Sequence, residues 1–308
     1  MSIRLGLVGL GKIATTQHVP AIAATPGIAL QAVASRNASL PGLPGYRDIA
    51  ALIAGEPGLT AITLCTPPKG RFDQAAAALW AGKHLMIEKP PGATVAEVSA
   101  LAALAERQGV TLFATWHSRE AAGVEAARTA LAATTVRGVR ITWKEDVRHW
   151  HPGQQWIWEP GGFGVFDPGI NALSILTRIL PDAVHLTSAD LFFPANRAAP
   201  IAARLAMQTA LGVPVAAEFD WRQTGPQTWD IEVQTDAGTL LLSHGGSRLA
   251  VGGVERVAEP DTEYARLYRR FVDLIVTKSS DVDLDPIVLV ADAFLLGRRH
   301  DVEPFIDS

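Results

Sequence analysis

The first residues whose spacing suggests chemistry are Gly9-Leu-Gly-Lys-Ile-Ala14. A G-x-G-x-x-A run that follows an apolar strand and opens a helix provides a tight turn, backbone room for a pyrophosphate and close helix-to-strand packing. Gly9, Gly11, Lys12 and Ile13 are therefore candidate dinucleotide contacts. The end of the next strand should choose the coenzyme, because an acidic residue there would bond the ribose 2′-hydroxyl of NAD. This chain has Ala34-Ser35-Arg36-Asn37 instead. The Ser35 hydroxyl and the Arg36 guanidinium suit a 2′-phosphate, so NADP is favoured, with NAD also accepted. Further along come Cys65-Thr-Pro-Pro68 and Glu88-Lys-Pro90, each at the end of an apolar run. Strand ends of a doubly wound sheet face the ligand, which adds Cys65, Thr66, Pro67, Glu88 and Lys89 to the coenzyme candidates. A lysine at that place can bond a substrate hydroxyl, so Lys89 is also a catalytic candidate.

The elements that must position these residues follow from periodicity. Short β-rich runs at Ile3–Val8, Ala29–Ser35, Ala61–Cys65, His84–Ile87 and Val110–Ala114 alternate with helical stretches at Asp73–Ala81 and Thr94–Arg107. That rhythm predicts parallel strands with crossover helices. The segment Asn37-Ala-Ser-Leu-Pro-Gly-Leu-Pro-Gly predicts a loop rather than a crossover helix. After a helical stretch at Glu120–Ala133 the pattern turns to period two, with Val139, Ile141 and Trp143 on one face and Arg140, Thr142 and Lys144 on the other. Strands expected at Val184–Phe192, Ala203–Ala210, Val215–Trp221, Trp229–Thr235 and Thr239–Ser243 predict a largely antiparallel sheet, with a hairpin at Asp236-Ala-Gly. Helices over Tyr264–Thr277 and Pro286–Arg298 are expected to close the chain. The fold class is α/β: a doubly wound parallel sheet over residues 1–118, then a second α/β domain on an open sheet over 119–308.

Five motifs in order, Gly9-Leu-Gly-Lys-Ile-Ala14, His18-Val-Pro20, Thr66-Pro-Pro68, Ala81-Gly-Lys-His84 and Glu88-Lys-Pro90, resemble the signature of the Gfo/Idh/MocA oxidoreductases. In the second half, Glu159-Pro-Gly-Gly162 and Asp167-Pro-Gly-Ile-Asn171 resemble that family's glycine pair and D-x-G-x-H motif. The longer segments Lys144–Arg148, Trp150–Trp158 and Gly164–Ser174 are similar to the family's aldose 1-dehydrogenases, which act on L-arabinose and D-galactose. The resemblance implies a Rossmann domain joined to an α/β domain, and NAD(P)-dependent oxidation of an aldopyranose at C1 to its lactone. One departure matters: the family's histidine is Asn171, which hydrogen-bonds but does not shuttle a proton at neutral pH. Proton transfer then shifts to Asp167 or Lys89, with Asp167 preferred as base and Lys89 polarising the same oxygen. The bland reading of Asp167, in Phe-Asp-Pro-Gly, is a helix N-cap.

Sugars present a fan of hydroxyls and an apolar C–H face, so their sites combine polar groups with aromatic walls. Four of the eight tryptophans, Trp143, Trp150, Trp156 and Trp158, fall within sixteen residues. Trp143 belongs to the core by its strand face, whereas Trp150 and Trp229 are candidate pocket walls, with His117, Glu145, His151 and Asn171 as candidate hydrogen-bonding partners. His149 and His151, two apart on an extended segment, suggest a metal pair. No further ligand spacing accompanies them, and a catalytic zinc takes three protein ligands, so no metal is expected.

Composition narrows the alternatives. Lys plus Arg number 27 against 31 Asp plus Glu, a net charge of −4 that gives no drive toward nucleic acid or an anionic membrane. The single Cys65 forms no internal disulfide and no thiolate cluster. The apolar stretches near the N-terminus are broken by Gly9, Gly11, Lys12 and Gln17-His18, unlike a signal peptide, and a cytoplasmic protein is expected. A homodimer through a free sheet face is a further expectation. The alternatives are a non-catalytic regulatory protein that binds NADP and sugar, or a family reductase or dehydrogenase acting on a cyclic polyol.

Overall fold

The computed structural model describes residues 2–259 and 262–307. The chain opens with β1 (Ile3–Val8), a π-helical turn at Ala14–His18, α1 (Val19–Ala24), β2 (Ile28–Ala34), β3 (Gly45–Tyr46) and α2 (Ile49–Gly55). It continues through β4 (Ala61–Leu64), α3 (Arg71–Trp80), β5 (His84–Ile87), α4 (Val95–Gln108) and β6 (Leu112–Ala114). Then come α5 (Val124–Ala132), β7 (Val136–Lys144), α6 (Val147–Trp150), α7 (Phe166–Ile179), β8 (Val184–Pro194), β9 (Ala202–Thr209), β10 (Pro214–Asp220) and β11 (Thr228–Thr235). The last elements are β12 (Gly238–Ser243), β13 (Arg248–Val251), β14 (Val254–Ala258), α8 (Glu263–Thr277), α9 (Asp285–Leu296) and β15 (Gly297–Val302).

Two compact units result: Met1–His117 with Tyr264–Leu284, and Ser118–Glu263 with Asp285–Ser308. Among the described residues, the first holds a six-stranded sheet in the order β3-β2-β1-β4-β5-β6, every pair parallel. Side chains alternate across it. Val8, Ala34, Ile62, Leu64, Leu85 and Ile87 pack under α2, α3 and α4, which contribute Leu52, Ala75, Ala78, Leu79, Leu101 and Leu104. Local chemistry fixes these helices: Asp48 caps α2 by accepting from the Ala51 amide, and Thr94 caps α4 by accepting from the Glu97 amide.

On the opposite face, Leu5, Leu7, Met86 and Phe113 are covered by α1 and by Tyr264, Leu267, Tyr268, Phe271 and Leu274 of α8. This corrects the expectation of one unbroken second domain over 119–308. The Pro-Gly segment after β2 forms no crossover helix, and although its Leu40 and Leu43 lean on the same core, most of that face is left to another element. The apolar stripe of α8 recurs at helical spacing and fills it. A fully buried Leu or Phe contributes about 1.5–3 kcal/mol, so five large side chains hold α8 there firmly.

In the second unit, among the described residues, the nine-stranded sheet runs β14-β13-β12-β11-β7-β10-β9-β8-β15. It is mixed: β7 pairs with β10 and β8 with β15 in parallel, and the other neighbours are antiparallel. Helices α5, α7 and α9 pack together on the face that carries Val139, Ile141, Trp143, Phe219 and Ile231. Gly169 lets α7 approach the sheet closely, since a Cβ there would lie 2.9 Å from the Phe219 ring. The expected last helix stops at Leu296 rather than Arg298, and Gly297–Val302 joins the sheet edge beside β8.

Candidate functional site

In the first unit the candidate residues gather at the carboxyl ends of the parallel strands. Gly9 leaves β1 at φ 92°, and a Cβ there would lie 2.9 Å from the Cys65 and Thr66 backbone, so only glycine lets the turn pass so close to the end of β4. Nothing lies within 4 Å of the place a Cβ on Gly11 would take, while Gly11, Lys12 and Ile13 are exposed. A bare backbone turn with open space beside it at the head of a helix fits a pyrophosphate. Ser35 is half-buried just past β2, its amide bonded to the Tyr46 carbonyl, and Arg36 beside it is exposed. Cys65 and Thr66 are half-buried at the end of β4 and Pro67 is exposed. These groups fit a dinucleotide.

The Glu88 side chain is turned into the protein at the end of β5. It is 4% exposed, and both carboxylate oxygens face protein groups. Oε1 accepts from the Tyr264 hydroxyl at 3.0 Å and lies 3.1 Å from His18 Nε2, while Oε2 accepts from the Lys89 amide at 2.9 Å. His18 is fully buried, with Nδ1 2.7 Å from the Tyr268 hydroxyl. Burial disfavours charge on the Glu88 carboxyl, but the hydrogen bond and charge of His18, aided by His117 and Lys89, prevail and hold it at about 2. Burial likewise opposes the His18 imidazolium, yet Cys65, Tyr268 and the bond to Glu88 outweigh it and raise its pKa well above the ordinary value. Arg71, on α3, donates to the carbonyls of Thr66, Glu88 and Pro90 and so ties the ends of β4 and β5 together. His117 is half-buried just past β6 and stacks on Tyr264, with ring centroids 5.5 Å apart.

In the second unit the candidates meet at one end of the helix-covered face. Glu145 directly follows β7, Trp221 directly follows the parallel neighbour β10, and Trp229 lies near the start of antiparallel β11, so all three fall at the same edge. The Glu145 carboxylate, 5% exposed, accepts from the Trp221 indole at 3.1 Å and the Trp229 indole at 2.9 Å. Trp229 stacks on Trp143 at 5.9 Å and lies 5.4 Å from Trp150, so the three rings lie side by side, the innermost being the core residue Trp143. Asp167, 3% exposed, sits in the first turn of α7. It is not the N-cap: that position is Val165, with no capping side chain. Its Oδ2 lies 3.2 Å from His151 Nε2, and the His151 ring packs on Trp221 at 5.3 Å. Asn171, half-buried, is one helical turn beyond Asp167.

The extended segment imagined for His149 and His151 is instead the short helix α6, which leaves His149 exposed against Trp150 and turns His151 to Asp167. Among the described residues, no group of three or more His, Cys, Asp or Glu side chains could hold a metal ion. Among the described residues, no helix is long and apolar enough to cross a membrane. Sequence reasoning missed Arg71, Trp221, Tyr264 and Tyr268 and passed over His18, whose place in His18-Val-Pro20 was the one available signal.

A glycine turn between strand and helix of a parallel sheet, with a strand-end lysine, defines a nicotinamide-dinucleotide-binding oxidoreductase. The family model described as "Oxidoreductase family, NAD-binding Rossmann fold" matches residues 3–115. The chain belongs to this Gfo/Idh/MocA oxidoreductase family. It is 46% identical over 305 residues to galactose 1-dehydrogenase of Pseudomonas fluorescens, covering 99% of each chain. Among solved structures it is similar to D-galactose-1-dehydrogenase from Rhizobium etli, with a TM-score of 0.96, 54% identity and coverage of 99% and 98%. A 3-ketoreductase from Actinomadura kijaniata, solved with NADP and TDP-benzene, shares the fold at a TM-score of 0.86, 18% identity and coverage of 98% and 100%.

Proposed function

We propose that the chain oxidises an aldopyranose at C1, D-galactose or L-arabinose, to the aldonolactone, with NADP preferred over NAD. The observation that carries this reading is the pairing of buried Asp167 with half-buried His151 at the edge that also holds Glu145, Trp150 and Trp229. Full-length similarity to two galactose 1-dehydrogenases supports the substrate class. Gly9, Gly11, Lys12, Ile13, Ser35, Arg36, Cys65, Thr66 and Pro67 are assigned to the coenzyme, whose nicotinamide accepts the hydride when bound.

Asp167 takes the proton of the C1 hydroxyl, and Lys89 polarises that oxygen or serves as the second candidate base. His151, Asn171 and Glu145 bond the hydroxyl fan, His117 adds a further hydrogen bond, and Trp150 and Trp229 lie along the apolar C–H face. Exposed Arg36 beside Ser35, with no carboxylate at the end of β2, supports the NADP preference. A homodimer and a cytoplasmic location extend the same reading.

The test is absorbance of the reduced nicotinamide with a panel of aldoses and both coenzymes. Turnover of D-galactose or L-arabinose is expected. Coenzyme binding without reduction by any aldose would point to the regulatory alternative, and turnover of cyclic polyols alone to another family activity.

A further inference from the structure

We propose that His18 and Glu88 form a buried ion pair that positions Lys89, which makes His18 a positioning residue for the lysine of the Glu88-Lys89-Pro90 turn. This rests on the reading of Lys89 as a group that touches the reacting oxygen. Glu88 cannot move without moving Lys89. Its amide donates to the Leu64 carbonyl at 3.0 Å, its own carbonyl accepts from Arg71, and its Oε2 grips the Lys89 amide at 2.9 Å. The Pro90 carbonyl, on the other side of the lysine, accepts from Arg71 as well.

What keeps Oε2 a full acceptor is the charge opposite it. A carboxylate this deeply buried takes up a proton unless a cation faces it, and a protonated carboxyl is a weaker acceptor with a donor of its own to place. His18 supplies the cation from the π-helical turn that follows the glycine motif, at 3.1 Å and with no exposed surface. Tyr264 fills the remaining lone pair of Oε1, and Tyr268 holds the far ring nitrogen while its hydroxyl lies 3.4 Å from Thr63 Oγ1. Cys65, His117, Tyr268 and Lys89 are the other titratable groups acting on the pair. An apolar pair of the same volume would pack as well or better. It would lack an acceptor for the Lys89 amide and partners for the Tyr264 and Tyr268 hydroxyls, and of these the Lys89 contact is the one that reaches the Glu88-Lys89-Pro90 turn.

The experiment uses the full chain as His18→Gln, Glu88→Gln and the double variant, with reductive 13C-methylation of lysines and Lys89→Arg to assign the Lys89 resonance. Expected is a shifted Lys89 dimethyl resonance and titration midpoint in both single variants, with other lysine signals unmoved. Binding of NADPH, read by its fluorescence, should stay near wild type. With sugar turnover, kcat should fall about tenfold to a hundredfold while KM changes less than about threefold, the pattern of a displaced group rather than a lost binding contact. Where His18→Gln does not fold, Tyr264→Phe and Tyr268→Phe each delete one hydroxyl of the network and must move the same resonance. An unmoved Lys89 signal in every folded variant, or a KM rise with full kcat, overturns the proposal. A wild-type protein inactive on every aldose would sink the proposed activity, but the Lys89 resonance would still decide the positioning role.

Discussion

His151 Nε2 lies 3.2 Å from Asp167 Oδ2, with Asp167 nearly buried and His151 partly open to solvent. The imidazole that family resemblance expects at position 171 is absent, and a histidine from the turn after α6 stands beside the same carboxylate. A carboxylate paired in this way has a partner to which it can pass a proton, which Asn171 cannot be.

Asp167→Asn and Lys89→Ala should each lower kcat at least about a hundredfold, the lower end for loss of general-base catalysis. Asn171→Ala should mainly raise KM, because a hydrogen bond made equally in ground and transition states contributes uniform binding. The deciding measurement is the pH profile of kcat, whose acid limb should vanish in the variant that lacks the base. Full kcat with an intact acid limb in Asp167→Asn would remove that residue from the proton path.

NADP should show the higher kcat/KM, and Arg36→Ala should raise KM for NADP far more than for NAD. A charge-assisted hydrogen bond contributes about 1.5–3 kcal/mol, so the selective change should exceed about tenfold. Equal losses with the two coenzymes would leave Arg36 a solvated surface charge.

The sequence made the first sheet legible because its signals are local. The glycine turn after β1, the run His84–Ile87 and the cap at Thr94 each act within a few residues. Helix α7 entered the sequence reading only through the N-cap alternative for Asp167: Pro168 and Gly169 look like breakers, yet proline is tolerated in a first turn, where its missing N–H has no partner to lose, and Gly169 is there for Phe219. The placement of α8 on the first sheet had no local signal, since its apolar stripe would serve either unit. The same holds for the network around Glu88: His18, Thr63, Glu88, Tyr264 and Tyr268 meet only in the fold. Individual site residues were readable from their chemistry, but which of them pair was not.

Sugars that share the configuration of L-arabinose from C1 to C4 should react, because the hydroxyl fan fixes the orientation at C1. D-glucose differs from D-galactose at C4 and would leave a buried polar group without its partner, at a cost of about 1–3 kcal/mol. Its kcat/KM should therefore be lower by about tenfold or more. Comparable values for the two hexoses would show that C4 is not read.

The His18–Glu88 pair also sets a pH window for stability. The Glu88 carboxyl falls from an ordinary 4.5 to about 2 on folding, so its contribution is complete above 4.5 and is lost as the pH drops through 2. The His18 value is raised above its ordinary 6.5, so its contribution is complete below 6.5 and disappears as the pH climbs through the folded value. Both act together between about 4.5 and 6.5, and each changes by at most about 1.4 kcal/mol per pH unit outside that range. Comparing the wild type with the double variant His18→Gln/Glu88→Gln isolates the pair, because the variant titrates at neither position. The difference in Tm, measured by thermal melts from pH 3 to pH 9, should plateau in the mildly acidic range and move against the wild type on both sides. A difference that stays flat across the whole range would mean that folding shifts neither titration, and a dip in the mildly acidic range would mean that the folded pair is neutral.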